Sequence, residues 1–112
     1  MSLKIITLDN GLRIALERND NARTCSLGAW VASGSAYETA QTAGVSHFIE
    51  HMLFRGTESR TSLDIAEQMD EIGGVINAYT AKELTCFYAA TLPEHMTKAL
   101  DIIRDMITHP LF

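Results

Sequence analysis

Gly44-Val45-Ser46-His47-Phe48-Ile49-Glu50-His51-Met52-Leu53-Phe54-Arg55-Gly56-Thr57 sets three chemistry-bearing polar residues inside an apolar run. The periodicity predicts a helix over residues 43–54. At about 100° per residue, His47 and His51 lie about 40° apart, and Glu50 lies about 60° to the other side of His47. All three then share one face. Val45, Phe48, Ile49, Met52 and Leu53 fall on the opposite arc, the side expected to be buried. Two imidazoles one turn apart can reach a single ion at the roughly 2.0–2.1 Å that Zn–N bonds require. Glu50, beside His51 and not needed as a ligand, can take a proton from the water that attacks a peptide carbonyl. The candidate metal ligands are therefore His47 and His51, the cofactor Zn2+, and the candidate catalytic base Glu50. His95 and His109 stand at the start and the end of a later helix and are read as structural or solvent-facing, His109 favoured there by the helix dipole.

Residues 3–8 and 12–17 are β-prone runs around Asp9-Asn10-Gly11, which predicts a hairpin. Residues 24–32 carry Cys25, Leu27, Ala29 and Val31 on one face and read as a third strand, ended by Ser33-Gly34-Ser35. Beyond the motif, a helix is predicted over residues 62–72. Thr61 and Asp64 stand at capping-box spacing, Ile65, Met69 and Ile72 share a face, and Gly73-Gly74 stops it. Residues 75–80 and 84–92 alternate like strands around a turn at Ala81-Lys82-Glu83. Pro93 then suits a first helical position, and Met96, Ala99, Leu100, Ile103 and Ile107 recur at helical spacing until Pro110. Such an order suits an α+β fold, a largely antiparallel sheet covered on one face by helices.

A hydrophobic content of 46% with 21% charged residues places the chain among ordinary globular sequences, one compact domain or part of a larger one. No stretch approaches the eighteen or so apolar residues a membrane span needs, and the first residues lack a signal-peptide layout. No membrane partner is expected. The opening Met1-Ser2-Leu3 resembles a cloning scar, and no structural role is expected of Met1 and Ser2. The net charge of −5, with both signs interspersed, offers no footprint for a phosphate backbone, so nucleic acid is not expected as a partner. Cys25 and Cys86 are too few and too isolated for a disulfide framework and are read as free, buried thiols.

The stretch from Gly44 to Thr57 resembles the signature of the pitrilysin, insulysin and mitochondrial processing peptidase family, the inverzincins. Thr7-Leu8-Asp9-Asn10-Gly11-Leu12-Arg13 is similar to that family's first hairpin. Gly74-Val75-Ile76-Asn77-Ala78-Tyr79-Thr80, with Glu83, Thr85 and Tyr88, is similar to its later one. Within the family the nearest likeness is to the bacterial processing-peptidase-like branch and the mitochondrial processing peptidase β-subunit. The resemblance implies a zinc metalloendopeptidase acting on peptides or unfolded protein segments, with His47 and His51 as ligands and Glu50 as general base. It also implies that the strand holding Asn77, Ala78 and Tyr79 accepts substrate as an added β-strand; by pattern alone it is an ordinary hairpin strand.

In the family the third ligand is a glutamate on a later helix, and none of Glu58, Glu67, Glu71, Glu83 or Glu94 occupies the matching position. Residues 1–112 are therefore expected to be an incomplete N-terminal peptidase domain, without the third ligand or the second peptidase domain that closes over substrate. Such a fragment is expected to self-associate through the uncovered strand at residues 75–80 and the apolar end at Leu111 and Phe112. The alternatives are a non-catalytic scaffold subunit of the same fold and a small binding module. The expected compartment is the cytoplasm for a bacterial protein, or the mitochondrial matrix for a eukaryotic one.

Overall fold

The structure, a computed structural model, describes residues 2–111. Met1 and Phe112, and with them the reading of Phe112 as part of an apolar patch, lie outside the described residues. Strand β1 (Ser2–Thr7) and strand β2 (Arg13–Arg18) pair antiparallel from Ser2↔Arg18 to Thr7↔Arg13. Ser2 is thus part of a strand after all. The turn closes on Gly11, whose φ of 89° a side chain would resist, and Asn10 Oδ1 accepts from the Leu12 N–H at 3.0 Å.

A second sheet is built from β3 (Cys25–Val31), β4 (Val75–Thr80) and β5 (Thr85–Thr91), in the spatial order β3-β5-β4 and antiparallel throughout. The single sheet expected from sequence is therefore two. β3 leaves the first hairpin and pairs with β5, where Leu27 and Ala29 can pack against the core instead of standing in water. The hairpin pays little attention to the core: Leu3 and Ile5 remain 67% and 65% exposed.

Three helices cover one face of the second sheet: α1 (Val45–Leu53), α2 (Ser62–Glu71) and α3 (Met96–Thr108), the last entered through a short 3-10 turn at Pro93–His95. A second 3-10 turn, Ser35–Tyr37, follows β3 and has no counterpart in the sequence reading. The α+β fold is as expected. Leu53, Ile65, Met69, Phe87, Ala89, Ala99, Ile102, Ile103 and Met106 form the core, with the central strand β5 as its floor. The buried stripe of α3 is rotated from the expected one. Ala99, Ile102, Ile103 and Met106 are buried, while Met96 and Leu100 are 41% and 53% exposed. The observed set keeps the expected i, i+3, i+4, i+7 spacing but starts at Ala99 instead of Met96, the face that α3 turns to β5 and β3.

α2 starts with both bonds of its capping box, Asp64 N–H to Thr61 Oγ1 at 3.1 Å and Thr61 N–H to Asp64 Oδ2 at 2.9 Å. The loop between α1 and α2 is tied to α3 by the buried Asp105 carboxylate. Its Oδ2 accepts from Thr57 Oγ1 at 2.6 Å, Arg60 Nη1 at 2.9 Å and Ser59 Oγ at 3.1 Å. No helix among the described residues is long and apolar enough to cross a membrane.

Candidate metal centre

α1 is one short helix, and its orientation decides what the motif can do. The apolar arc expected to be buried is so only in part: Leu53 is buried and Met52 half-buried, but Val45, Phe48 and Ile49 are 42%, 63% and 40% exposed. Ser46 joins Leu53 among the buried residues, and Glu50 between them is half-buried. The face set toward the sheet is therefore 46, 50 and 53. A carboxylate can take that place because it finds a partner there: Thr80 Oγ1, at the end of β4, donates to Glu50 Oε2 in a short hydrogen bond.

The two imidazoles stand at the exposed rim of the same helix. Their Nε2 atoms are 3.1 Å apart, with ring planes crossing at 81°. Two nitrogen donors on one tetrahedral ion, each at 2.0–2.1 Å, are about 3.3 Å apart, so the separation of the pair is close to that which a single zinc requires. The ligand atoms of His47, Glu50 and His51 all lie within 4.8 Å of one another, and no other such group occurs among the described residues. Beside Glu50 opens a largely apolar cavity of about 270 Å³, walled by Val31, Ile49, Leu53, Phe87 and Ile107.

β4 is an edge strand, since among the described residues only β5 pairs with it. Its alternation places Ile76, Ala78 and Thr80 toward the helices and leaves Val75, Asn77 and Tyr79 exposed on the other face. Asn77 Oδ1 accepts from the Ala78 N–H at 2.8 Å, and the Tyr79 ring lies 6.1 Å from that of Tyr88. Of the residues singled out in the sequence, His47, Glu50 and His51 are brought together, and Asn77, Ala78 and Tyr79 lie along the strand whose last residue, Thr80, holds Glu50.

His95 and His109 remain apart from the centre. His95 Nε2 lies 3.7 Å from Glu94, and His109 Nδ1 lies 2.8 Å from Thr108 Oγ1. Cys25 is partly buried and Cys86 fully so, both free; burial pushes the Cys86 thiol up from its ordinary value.

Two contacts escaped the sequence reading. Thr80 signals itself only as a polar residue on the inward face of its strand. Glu38 accepts the N–H groups of Gly44 and Ser46 at 2.8 Å each, from a loop position that no local spacing rule marks.

Residues 13–112 match the family described as insulinase, peptidase family M16. The chain is 47% identical over 110 residues to the uncharacterized zinc protease YmxG of Bacillus subtilis, covering 98% of this chain and 27% of that protein. It is 42% identical over 109 residues to a probable mitochondrial-processing peptidase subunit beta of Arabidopsis thaliana, covering 97% of this chain and 20% of the relative. The rat mitochondrial-processing peptidase subunit beta is 39% identical over 104 residues, 93% of this chain and 21% of its own length. The chain thus spans roughly a quarter or less of these relatives.

Proposed function

Because the chain belongs to the insulinase family of peptidases, family M16, we propose that it carries the catalytic helix of a zinc endopeptidase acting on peptides or unfolded protein segments. The observation that supports this most directly is the 3.1 Å separation of the His47 and His51 Nε2 atoms, with Glu50 in the same group. A zinc ion held by both imidazoles would polarise the scissile carbonyl and make water more acidic. Glu50 then acts as general base. Its carboxylate, oriented by Thr80, takes a proton from the attacking water and returns it to the departing amine nitrogen.

The open edge of β4 is the proposed substrate track, with Asn77, Ala78 and Tyr79 beside an extended peptide held by backbone hydrogen bonds. Two imidazoles leave an ion short of the three protein ligands of catalytic zinc sites, so a third, a glutamate from elsewhere in the whole protein, belongs to this reading. Residues 1–112 are then the first part of an N-terminal peptidase domain, and on their own they hold zinc weakly and lack turnover. A bacterial protein of this kind would act in the cytoplasm and a eukaryotic one in the mitochondrial matrix.

Substituting Glu50→Gln in the protein that carries this chain tests the assignment. Zinc content is expected to stay near that of the parent while peptide hydrolysis falls by about a hundredfold or more. Unchanged hydrolysis would remove Glu50 from the role of base. A parent protein that binds zinc yet hydrolyses no peptide would favour the scaffold reading.

A further inference from the structure

A helix leaves its first N–H groups without intrahelical acceptors, and a short helix feels the loss most. α1 begins at Gly44, whose φ of 86° is a conformation that side chains resist, so the residue at the cap position has no side chain to offer. The acceptor comes from outside the helix. Glu38 Oε1 takes the Gly44 N–H and Oε2 takes the Ser46 N–H, both at 2.8 Å. The Val45 N–H between them goes to the Thr42 carbonyl at 3.0 Å. The loop is itself closed, because Thr39 N–H donates to Thr42 Oγ1 at 2.7 Å.

We propose that Glu38 is a positioning residue for the metal centre: its carboxylate fixes the roll and the axial position of the first turn of α1, and so aims the His47 ring. This rests on the reading of His47 and His51 as ligands. A carboxylate that bonds two amides with two different oxygens constrains a rotation that a single bond would leave free. His47 directly follows Ser46, whose N–H is held, so little freedom remains between clamp and ligand. At the other end, Leu53 is buried in the core and Glu50 is held by Thr80. The helix is therefore fixed at both ends, and the separation of the two imidazoles is set by the fold before an ion arrives. The N–H groups of Ser46 and Gly44 hold the Glu38 carboxyl below the usual carboxylate range, so it is ionised wherever a neutral imidazole is available to bind metal. Its negative charge also suits the positive end of the helix dipole.

The test compares the parent protein with its Glu38→Gln and Glu38→Ala variants by three measurements. Hydrogen exchange of the metal-free protein, read by mass spectrometry on peptides covering residues 38–50, reports the clamp without reference to metal. Zinc affinity is measured by competition with a chromogenic chelator. The visible absorption of the cobalt(II)-substituted protein reports ligand geometry in the folded population, which a merely structural loss of stability does not change. Expected are faster exchange over residues 44–46, zinc binding weakened by about tenfold, and an altered cobalt band, with the alanine variant more affected than glutamine. Glutamine keeps the shape and one acceptor, so it carries the test should the alanine variant fail to fold. Unchanged exchange overturns the clamp. Faster exchange with unchanged zinc affinity and cobalt spectrum overturns the positioning role while leaving the metal site intact. A parent protein that takes up neither metal overturns the zinc reading itself, and the positioning role with it.

Discussion

Thr80 stands 30 residues from Glu50 in sequence and one hydrogen bond from it in space. That bond leaves the Glu50 carboxylate oriented instead of free to sample solvent, which a base acting on one water molecule requires. Replacing Thr80→Val removes the donor while keeping the shape. It is expected to lower kcat by about tenfold with KM little changed, and Thr80→Ser should restore most of the rate. Steady-state kinetics on the protein carrying this chain would check it, and an equal loss in serine and valine variants would show that packing, not the hydrogen bond, matters at this position. The contrast with His47, Glu50 and His51 explains what was legible at this scale. Their juxtaposition follows from helical geometry over five consecutive positions, which local sequence determines. Thr80 and Glu38 reach the same helix through tertiary placement, the first from a strand and the second from a loop, and no short-range pattern encodes either contact.

A buried ion pair ties α3 to the loop between α1 and α2. Asp105 on α3 and Arg60 in the loop after α1 have side chains only 7% and 12% exposed, and Arg60 also reaches Asp101 at 2.8 Å and Gln68 at 2.8 Å. Burial acts to raise the Asp105 carboxyl, but hydrogen bonds from Thr57, Arg60 and Ser59 and the Arg60 charge outweigh it, so the group lies below its ordinary 3.8. The folded state therefore favours the ionised form. Its contribution to stability is present above about pH 4 and is lost as the pH falls through the lower folded-state value. Asp101, lowered by Arg60 and Arg104, adds in the same direction. Asp105→Asn is expected to cost about 3 kcal/mol near neutral pH, because Arg60 loses its buried partner. Urea unfolding at pH 6 and at pH 3 measures both effects, and the variant should lose less stability between the two than the parent chain. The ends of α2 were legible because its capping box and glycine stop act locally. The buried faces of α1 and α3 were legible only in part: Leu53, Ala99 and Ile103 lie inside as expected, whereas Val45, Phe48, Met96 and Leu100 do not. Each helix rolls to suit the neighbours that β5 and β4 bring against it, and those neighbours are distant in sequence.

At the scale of the molecule, the order of elements along the chain and the two hairpins carried over from the sequence, but the division into two sheets did not, because pairing β3 with β5 depends on which partner buries Leu27 and Ala29. The resulting surface is unusual for a chain that stands alone. Val75 and Tyr79 on the edge strand are 65% and 47% exposed, Trp30 on the same outer face is 65% exposed and Tyr88 39%. Phe48 on α1 is 63% exposed and Leu111 53%. Exposed apolar side chains next to an unpaired strand edge favour association, since a second copy can satisfy the open backbone groups and cover the rings in one contact. The isolated chain is therefore expected to self-associate, with antiparallel pairing of β4 between two copies as the arrangement that repeats the same contact on both sides. Sedimentation velocity across a concentration series reads the outcome. The parent chain should shift toward a dimer as concentration rises, whereas Tyr79→Lys, which places a charge on the exposed edge strand without touching the core, should stay monomeric over the same range. A strictly monomeric parent chain would show that this surface needs no cover, and a dimer indifferent to Tyr79→Lys would move the contact away from β4.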